Sequence, residues 1–176
     1  MDFLNQQIDL STLPDIEDVA WKKIEPDYLK VLRLHWLIVS IVLLIAGGLL
    51  VFFNSRLQTS VWLASIAAAF LLISTLYLFF LQRSFRYRAY SIRQHDILYR
   101  HGWIVKHTEA CPFNRIQHCS VNSGPLERKY RLASLTLFTA ASSQGDLKIS
   151  GLPEETANTL REFIMKKIIP YEGAVN

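Results

Sequence analysis

Glycine is scarce in this chain, seven residues in 176, and none of it is arranged to cradle a phosphate or to sharpen a nucleophile turn. Ser123-Gly124 lacks the flanking glycine of a nucleophile elbow, and the acids of the second half are scattered without a paired motif. Nucleotide binding and acyl transfer therefore have no residues to call on, and no catalytic residue or cofactor is expected. Cysteine is scarcer still. Cys111 and Cys119 are the only two, too few for a disulfide framework and expected to stay reduced thiols. Together with His101, His107 and His118 they put five metal-ligand types within nineteen residues, but the spacings match no zinc module. Adjacent His118 and Cys119 would point to opposite faces of a strand, so no metal ligands are expected. Nucleic acid is a poor fit too, because no recognition motif accompanies the basic charge.

A second absence is more informative. No Asp, Glu, Lys or Arg lies between Trp36 and Phe53 or between Val61 and Leu81, and neither run shows a polar stripe. Each is about long enough to cross a bilayer, which takes about 20 helical residues. Only a short loop separates them. The sequence predicts a transmembrane hairpin over 31–82, with spans at 33–53 and 61–81. With no ionisable group inside, it reads as an anchor and gives an ion pathway nothing to use. Small residues at one-turn spacing, Gly47 and Gly48 on the first span and Ala64/Ala68 and Ser65/Ala69 on the second, suggest a close helix approach within the hairpin, with self-association as the other use.

Charge is segregated around this anchor. Residues 1–35 hold four Lys/Arg against seven Asp/Glu, while residues 82–176 hold fourteen against eight. Close to the spans, Lys22, Lys23, Lys30 and Arg33 precede the first and Arg83, Arg86, Arg88, Arg93 and Arg100 follow the second, whereas the loop 54–60 carries Arg56 alone. Basic residues resist translocation, so both termini are expected in the cytoplasm and the protein in the cytoplasmic (inner) membrane. A cleaved signal peptide is not expected, because the first thirty residues are polar and acidic.

Within residues 1–30, Thr12 suits a helix cap, and Leu13, Ile16, Ala20 and Ile24 recur at helical spacing until Pro26. A short amphipathic helix is expected there. It would lie on the membrane, stay disordered or, the favoured reading, contact the basic domain.

After Leu81 the rhythm shortens to period two, broken by turn residues, which reads as a β-rich domain over 83–170 with a tail at 171–176. Six strands are expected, at 86–92, 96–101, 103–111, 115–122, 134–140 and 146–150. A closing helix follows, with Pro153 at its start, Ala157, Leu160, Ile164 and Ile168 on one face, and Pro170 as its stop. The fold class is thus α+β: a two-helix hairpin, then a barrel or curled sheet covered by a C-terminal helix.

The run Tyr90 to Trp103, then Pro112-Phe-Asn-Arg115-Ile116-Gln117-His118, Ser123-Gly124-Pro-Leu-Glu-Arg128, Leu132-Ala133-Ser-Leu-Thr-Leu137 and Ile149-Ser-Gly-Leu152, resembles the YdbS-like bacterial pleckstrin-homology-like family. So does Trp21-Lys-Lys-Ile-Glu-Pro26 before a two-span hairpin, which extends the resemblance over about 20–170. The resemblance implies a pleckstrin-homology-like (PH-like) barrel of about seven strands with a C-terminal helix, and no catalytic activity. Pro112, Arg115, Ile116, Gln117, Gly124, Leu132 and Ala133 read as structural positions of the motif. A small residue, commonly glycine, usually precedes the Leu-Ala pair in that family, where this chain has Arg131.

The residues offered to a ligand are basic. Arg83, Arg86, Arg88 and Arg93 leave the membrane, with Arg86 and Arg88 expected on one strand face, and Arg128, Lys129 and Arg131 form a second cluster. Near an anionic leaflet each cation is worth roughly 1 kcal/mol. Two function classes follow: a membrane-tethered module that binds a protein partner, or itself, in envelope maintenance or stress protection, and a sensor of anionic phospholipid headgroups. The first is preferred, because the hairpin already anchors the domain.

Overall fold

The two charge-free runs are the middles of longer helices. In the computed structural model, which describes residues 19–54, 59–139 and 146–172, α1 spans Asp27–Phe53 and α2 spans Ser60–Arg86, 27 residues each. At 1.5 Å per residue each is about 40 Å long, some 10 Å more than a hydrocarbon core. Apolar side chains such as Leu50, Phe53, Val61 and Leu71 are exposed along the spans, a surface that only lipid or another helix satisfies. The surplus length lies at the charged end. There Arg33 Nη2 donates to Gln82 Oε1 at 3.3 Å, and Trp36 stacks on Tyr77 with ring centroids 4.2 Å apart. The helices do not meet closely at Gly47 and Gly48, contrary to the expectation from small residues: a Cβ added at either finds nothing within 4 Å. Both instead line an open apolar groove with Leu44, Leu63, Ile66 and Phe70.

The extra turns of α1 belong to the folded domain. Tyr28 and Val31 are buried in its core, as is Ile24 before them. Lys22–Lys23 form a short strand, β1, antiparallel to β2 (Ala89–Ile92), with Lys22 opposite Tyr90 and Lys23 opposite Ala89. The stretch from Ala20 to Ile24 is therefore extended where an amphipathic helix was expected, because pairing with β2 satisfies its backbone and core contact takes Ile24. The other part of that expectation, Thr12 to Asp18, lies outside the described residues. The described part of the segment contacts the domain as a strand, not as the helix that was expected to do so.

From β2 the chain continues through β3 (Asp96–His101) and β4 (His107–Pro112), giving a four-stranded antiparallel sheet in the order β1-β2-β3-β4. A 3-10 turn at Phe113–Arg115 leads into β5 (Ile116–Asn122), helix α3 (Pro125–Lys129), β6 (Leu132–Thr139) and β7 (Leu147–Pro153), a second antiparallel sheet. Helix α4 (Glu154–Glu172) packs on β5 and β6. Its expected face is correct, since Ala157, Leu160, Ile164 and Ile168 are all buried. The helix runs on to Glu172, past the expected stop at Pro170, which removes one i→i−4 hydrogen bond from its last turns.

Seven strands are present among the described residues, the number implied by family resemblance, but they form two sheets and no closed barrel. Six come from the part after the membrane, and the seventh comes from before it. The hairpin is thus inserted between the first two strands. Several strand ends also differ from expectation: β2 starts at Ala89 because α2 continues through Arg86, and β4 starts at His107 because Gly102 turns the chain with φ +89. The center holds Ile97, Leu132, Leu135, Leu137, Ile149, Leu152 and Ile164, each worth about 1.5–3 kcal/mol of burial.

Candidate functional site

The domain has a membrane end and a far end, fixed by chain direction. α1 begins and α2 finishes at the membrane end; β2 runs away from it, the turn Arg93–Asp96 reverses the chain, and β3 returns. The connection 102–106 between β3 and β4 therefore comes back to the membrane end, whereas the 3-10 turn after β4 lies at the far end, where Phe113 N donates to the His95 carbonyl at 3.0 Å.

This polarity sorts the basic residues. Arg83 and Arg86 sit on the last turn of α2, exposed, in the position where cations complement a helix C-terminus. Arg86 is helical and Arg88 lies in the connection before β2, so the two do not share a strand face as expected. Arg88 is half-buried, its Nε without a hydrogen-bond partner, and its charge acts on Tyr99. Arg93 is at the opposite end. Its guanidinium grips the Asp96 carboxylate with both Nε and Nη2, the Nε contact at 2.7 Å, and its backbone N–H donates to the Asp96 carbonyl at 2.9 Å. Arg93 closes the β2–β3 hairpin at the end of β2 opposite α2.

The second cluster comes to the membrane end because α3 packs against α1. Arg128 and Lys129 are exposed there, with Arg128 Nε on the Ser123 carbonyl at 3.2 Å. Arg131 stands next to them in the left-handed conformation, φ 54. Its N–H donates to the Arg128 carbonyl, and its own carbonyl accepts the Glu154 N–H at 3.1 Å, so the turn keeps its geometry despite a side chain that disfavours it.

The motif positions fall in turns, at strand ends and in the core. Glu127 reaches back to the Gly124 N–H at 2.9 Å and accepts the Ser134 hydroxyl at 2.9 Å, tying α3 to β6. Ser123 Oγ donates to the Leu132 carbonyl at 2.7 Å. Leu132, Ala133 and Ile116 are buried; Pro112 ends β4, Arg115 is exposed on the 3-10 turn, and Gln117 occupies an irregularity in β5. Gly151 is the extra residue where β7 slips against β6, and its φ of +82 fits that bulge.

Of the metal-ligand types, His118 stacks on Phe138 at 4.1 Å while Cys119 Sγ faces the Arg161 carbonyl at 3.8 Å. No group of three or more His, Cys, Asp or Glu side chains converges among the described residues. Burial pushes the thiols of Cys111 and Cys119 above their ordinary range, with Arg115 and Arg161 opposing in turn.

Two sheets, a closing helix and a two-helix hairpin set between the first strands are now in view, and residues 29–168 match the bacterial PH domain family. The chain belongs to that family. It is 30% identical over 146 residues, 82% of this chain and 90% of the relative, to the transmembrane protein YdbS of Bacillus subtilis (strain 168). No solved structure matches. The match to the bacterial PH domain starts at Leu29, inside α1, and runs through the hairpin to Ile168, so membrane anchor and sheets recur as one unit. This member is a membrane protein, and its PH-like domain sits directly on its own spans.

Two surfaces remain chemically available. One is the basic membrane end. The other is the outer edge of β4, where His107, Thr108, Glu109 and Ala110 are exposed and, among the described residues, no strand lies beyond. Sequence reasoning missed that edge, since the periodicity of 103–111 does not say which strand is last in a sheet.

Proposed function

We propose that this bacterial PH domain protein is a non-catalytic interaction module held at the cytoplasmic face of the inner membrane, whose ligand is a protein segment that adds as a strand to β4, in envelope maintenance or stress protection. The observation that carries the reading is the open edge. An unpaired strand offers a row of N–H and C=O groups, and strand addition is a common mode of peptide recognition. The edge has only Glu109 as fixed charge to deter pairing, and Pro112 closes it at one end. The hairpin supplies the anchoring, so the domain has no need of lipid affinity for recruitment.

A photo-crosslinking residue at Thr108, introduced in the full chain in native membranes, tests this. The reading expects a discrete protein adduct that a proline at Ala110 abolishes. Adducts to phospholipid alone would count against strand addition; the second reading, headgroup sensing, rests on Arg83, Arg86, Arg128, Lys129 and Arg131 at the membrane end.

A further inference from the structure

The connection from His101 to His107 carries an apolar tip. Ile104 is 75% exposed and Val105 62%, on a domain whose other large apolar side chains are mostly covered. The tip is shaped, not loose: Gly102 takes φ +89, and a Cβ there would run into the Val105 backbone, so the loop folds back tightly on itself. It is also seated. The Trp103 ring lies 6.0 Å from Phe79 and 5.7 Å from Phe80, centroid to centroid, and the Arg83 guanidinium stands 6.0 Å over Trp103 and 5.4 Å over Phe79.

Phe79 and Phe80 are on the membrane-spanning helix, four and three residues before Arg83, which places them about 6 and 4.5 Å deeper along its axis. That distance is about the thickness of the interfacial zone between hydrocarbon and water. Trp103 therefore stands at the depth where tryptophan is enriched in membrane proteins, and Arg83 marks the headgroup level beside it. Ile104 and Val105 follow on the same tip, and Lys106 ends it with a cation.

We propose that Trp103, Ile104 and Val105 form a wedge inserted into the leaflet alongside α2, with phospholipid as the occupant of this apolar surface and Arg83 and Lys106 on its headgroups. The continuity of the wedge with the lipid-facing end of α2 is what selects lipid over protein. The wedge is a third attachment to the bilayer, besides the two spans, and it holds the four-stranded sheet edgewise to the membrane with β4 standing out from it. It is independent of whether β4 takes a partner.

The test is depth-dependent quenching in the full chain reconstituted in phosphatidylglycerol/phosphatidylcholine bilayers. A bimane fluorophore on Ile104→Cys is expected to lose most of its emission to lipids with a nitroxide high on the acyl chain, and little to aqueous iodide. The same fluorophore on Glu109→Cys, on the exposed edge, is expected to show the reverse. Because Ile104 is exposed, its replacement leaves the fold intact, and wild-type-like melting of the labelled protein checks that. Quenching of the Ile104 probe by iodide alone would overturn the wedge. Protection from both quenchers would overturn it too, since a protein, partner or second copy, would then cover the tip.

Discussion

Gly151 of β7 forms the floor on which Tyr28 of α1 rests: a Cβ at Gly151 would lie 2.7 Å from Tyr28 Cβ and 2.7 Å from Ile24 Cγ2. The Gly151 carbonyl also accepts the Glu25 N–H at 3.2 Å. The bulge in β7, the start of the first span and the strand before it are thus joined at one residue.

Gly151→Ala is expected to destabilise the domain by about 2–5 kcal/mol, combining the left-handed backbone with overpacking against Tyr28. Thermal unfolding in detergent measures it. The same change should raise protease cleavage near Trp21, because β1 loses its hold.

Arg131 gives the opposite expectation. With φ 54 it pays a conformational penalty that glycine avoids, and its N–H and carbonyl bonds are backbone bonds that survive substitution. Arg131→Gly should stabilise by up to about 1 kcal/mol after the greater freedom of glycine in the unfolded chain is counted. A higher midpoint in urea, with an unchanged slope, is the predicted reading.

The thiols predict a pH dependence. Burial raises Cys111 and Cys119 above their ordinary value of 9.0, and it raises Tyr90 and Tyr99 above 10.0. As pH rises, the unfolded chain releases these protons first, so the stabilisation is complete at neutral pH and is lost progressively above roughly pH 9. Urea midpoints at pH 7 and pH 10 check this, the second being lower. Both thiols should also resist maleimide at neutral pH whichever side they face, so orientation is better read from Thr59→Cys, which is expected to label from outside intact cells.

The hairpin and the closing helix were legible because their signals are local: charge-free length for the spans, and helical spacing of Ala157, Leu160, Ile164 and Ile168 for α4. The motif turn at Ser123 to Leu132 was legible as a unit, and the structure explains why its glycine-preferring position matters in Arg131. What escaped was non-local. Two lysines at Lys22–Lys23 carry no strand signal of their own, and their role depends on β2, across both spans. Arg93 looked like the other arginines after α2, but only the register of β2 with β3 shows that it sits in the turn at the end of β2 opposite α2. The run after Gly102 alternated well enough to pass for a strand, although its Trp103 is held by the spanning helix.

The strand before the membrane completes the sheet after it, which makes the hairpin an insertion in one domain. Cysteines at Lys23 and Ala89, directly opposite in the register, test it most directly. Paired antiparallel positions lie within the Cα separation of about 4.4–6.8 Å that a disulfide requires. Oxidation of membranes holding the Lys23→Cys/Ala89→Cys chain should give an intramolecular disulfide, while Lys22→Cys/Ala89→Cys, one residue out of register, should give much less. Equal yields from the two pairs, or none from the first, would mean that β1 does not pair with β2 in this register.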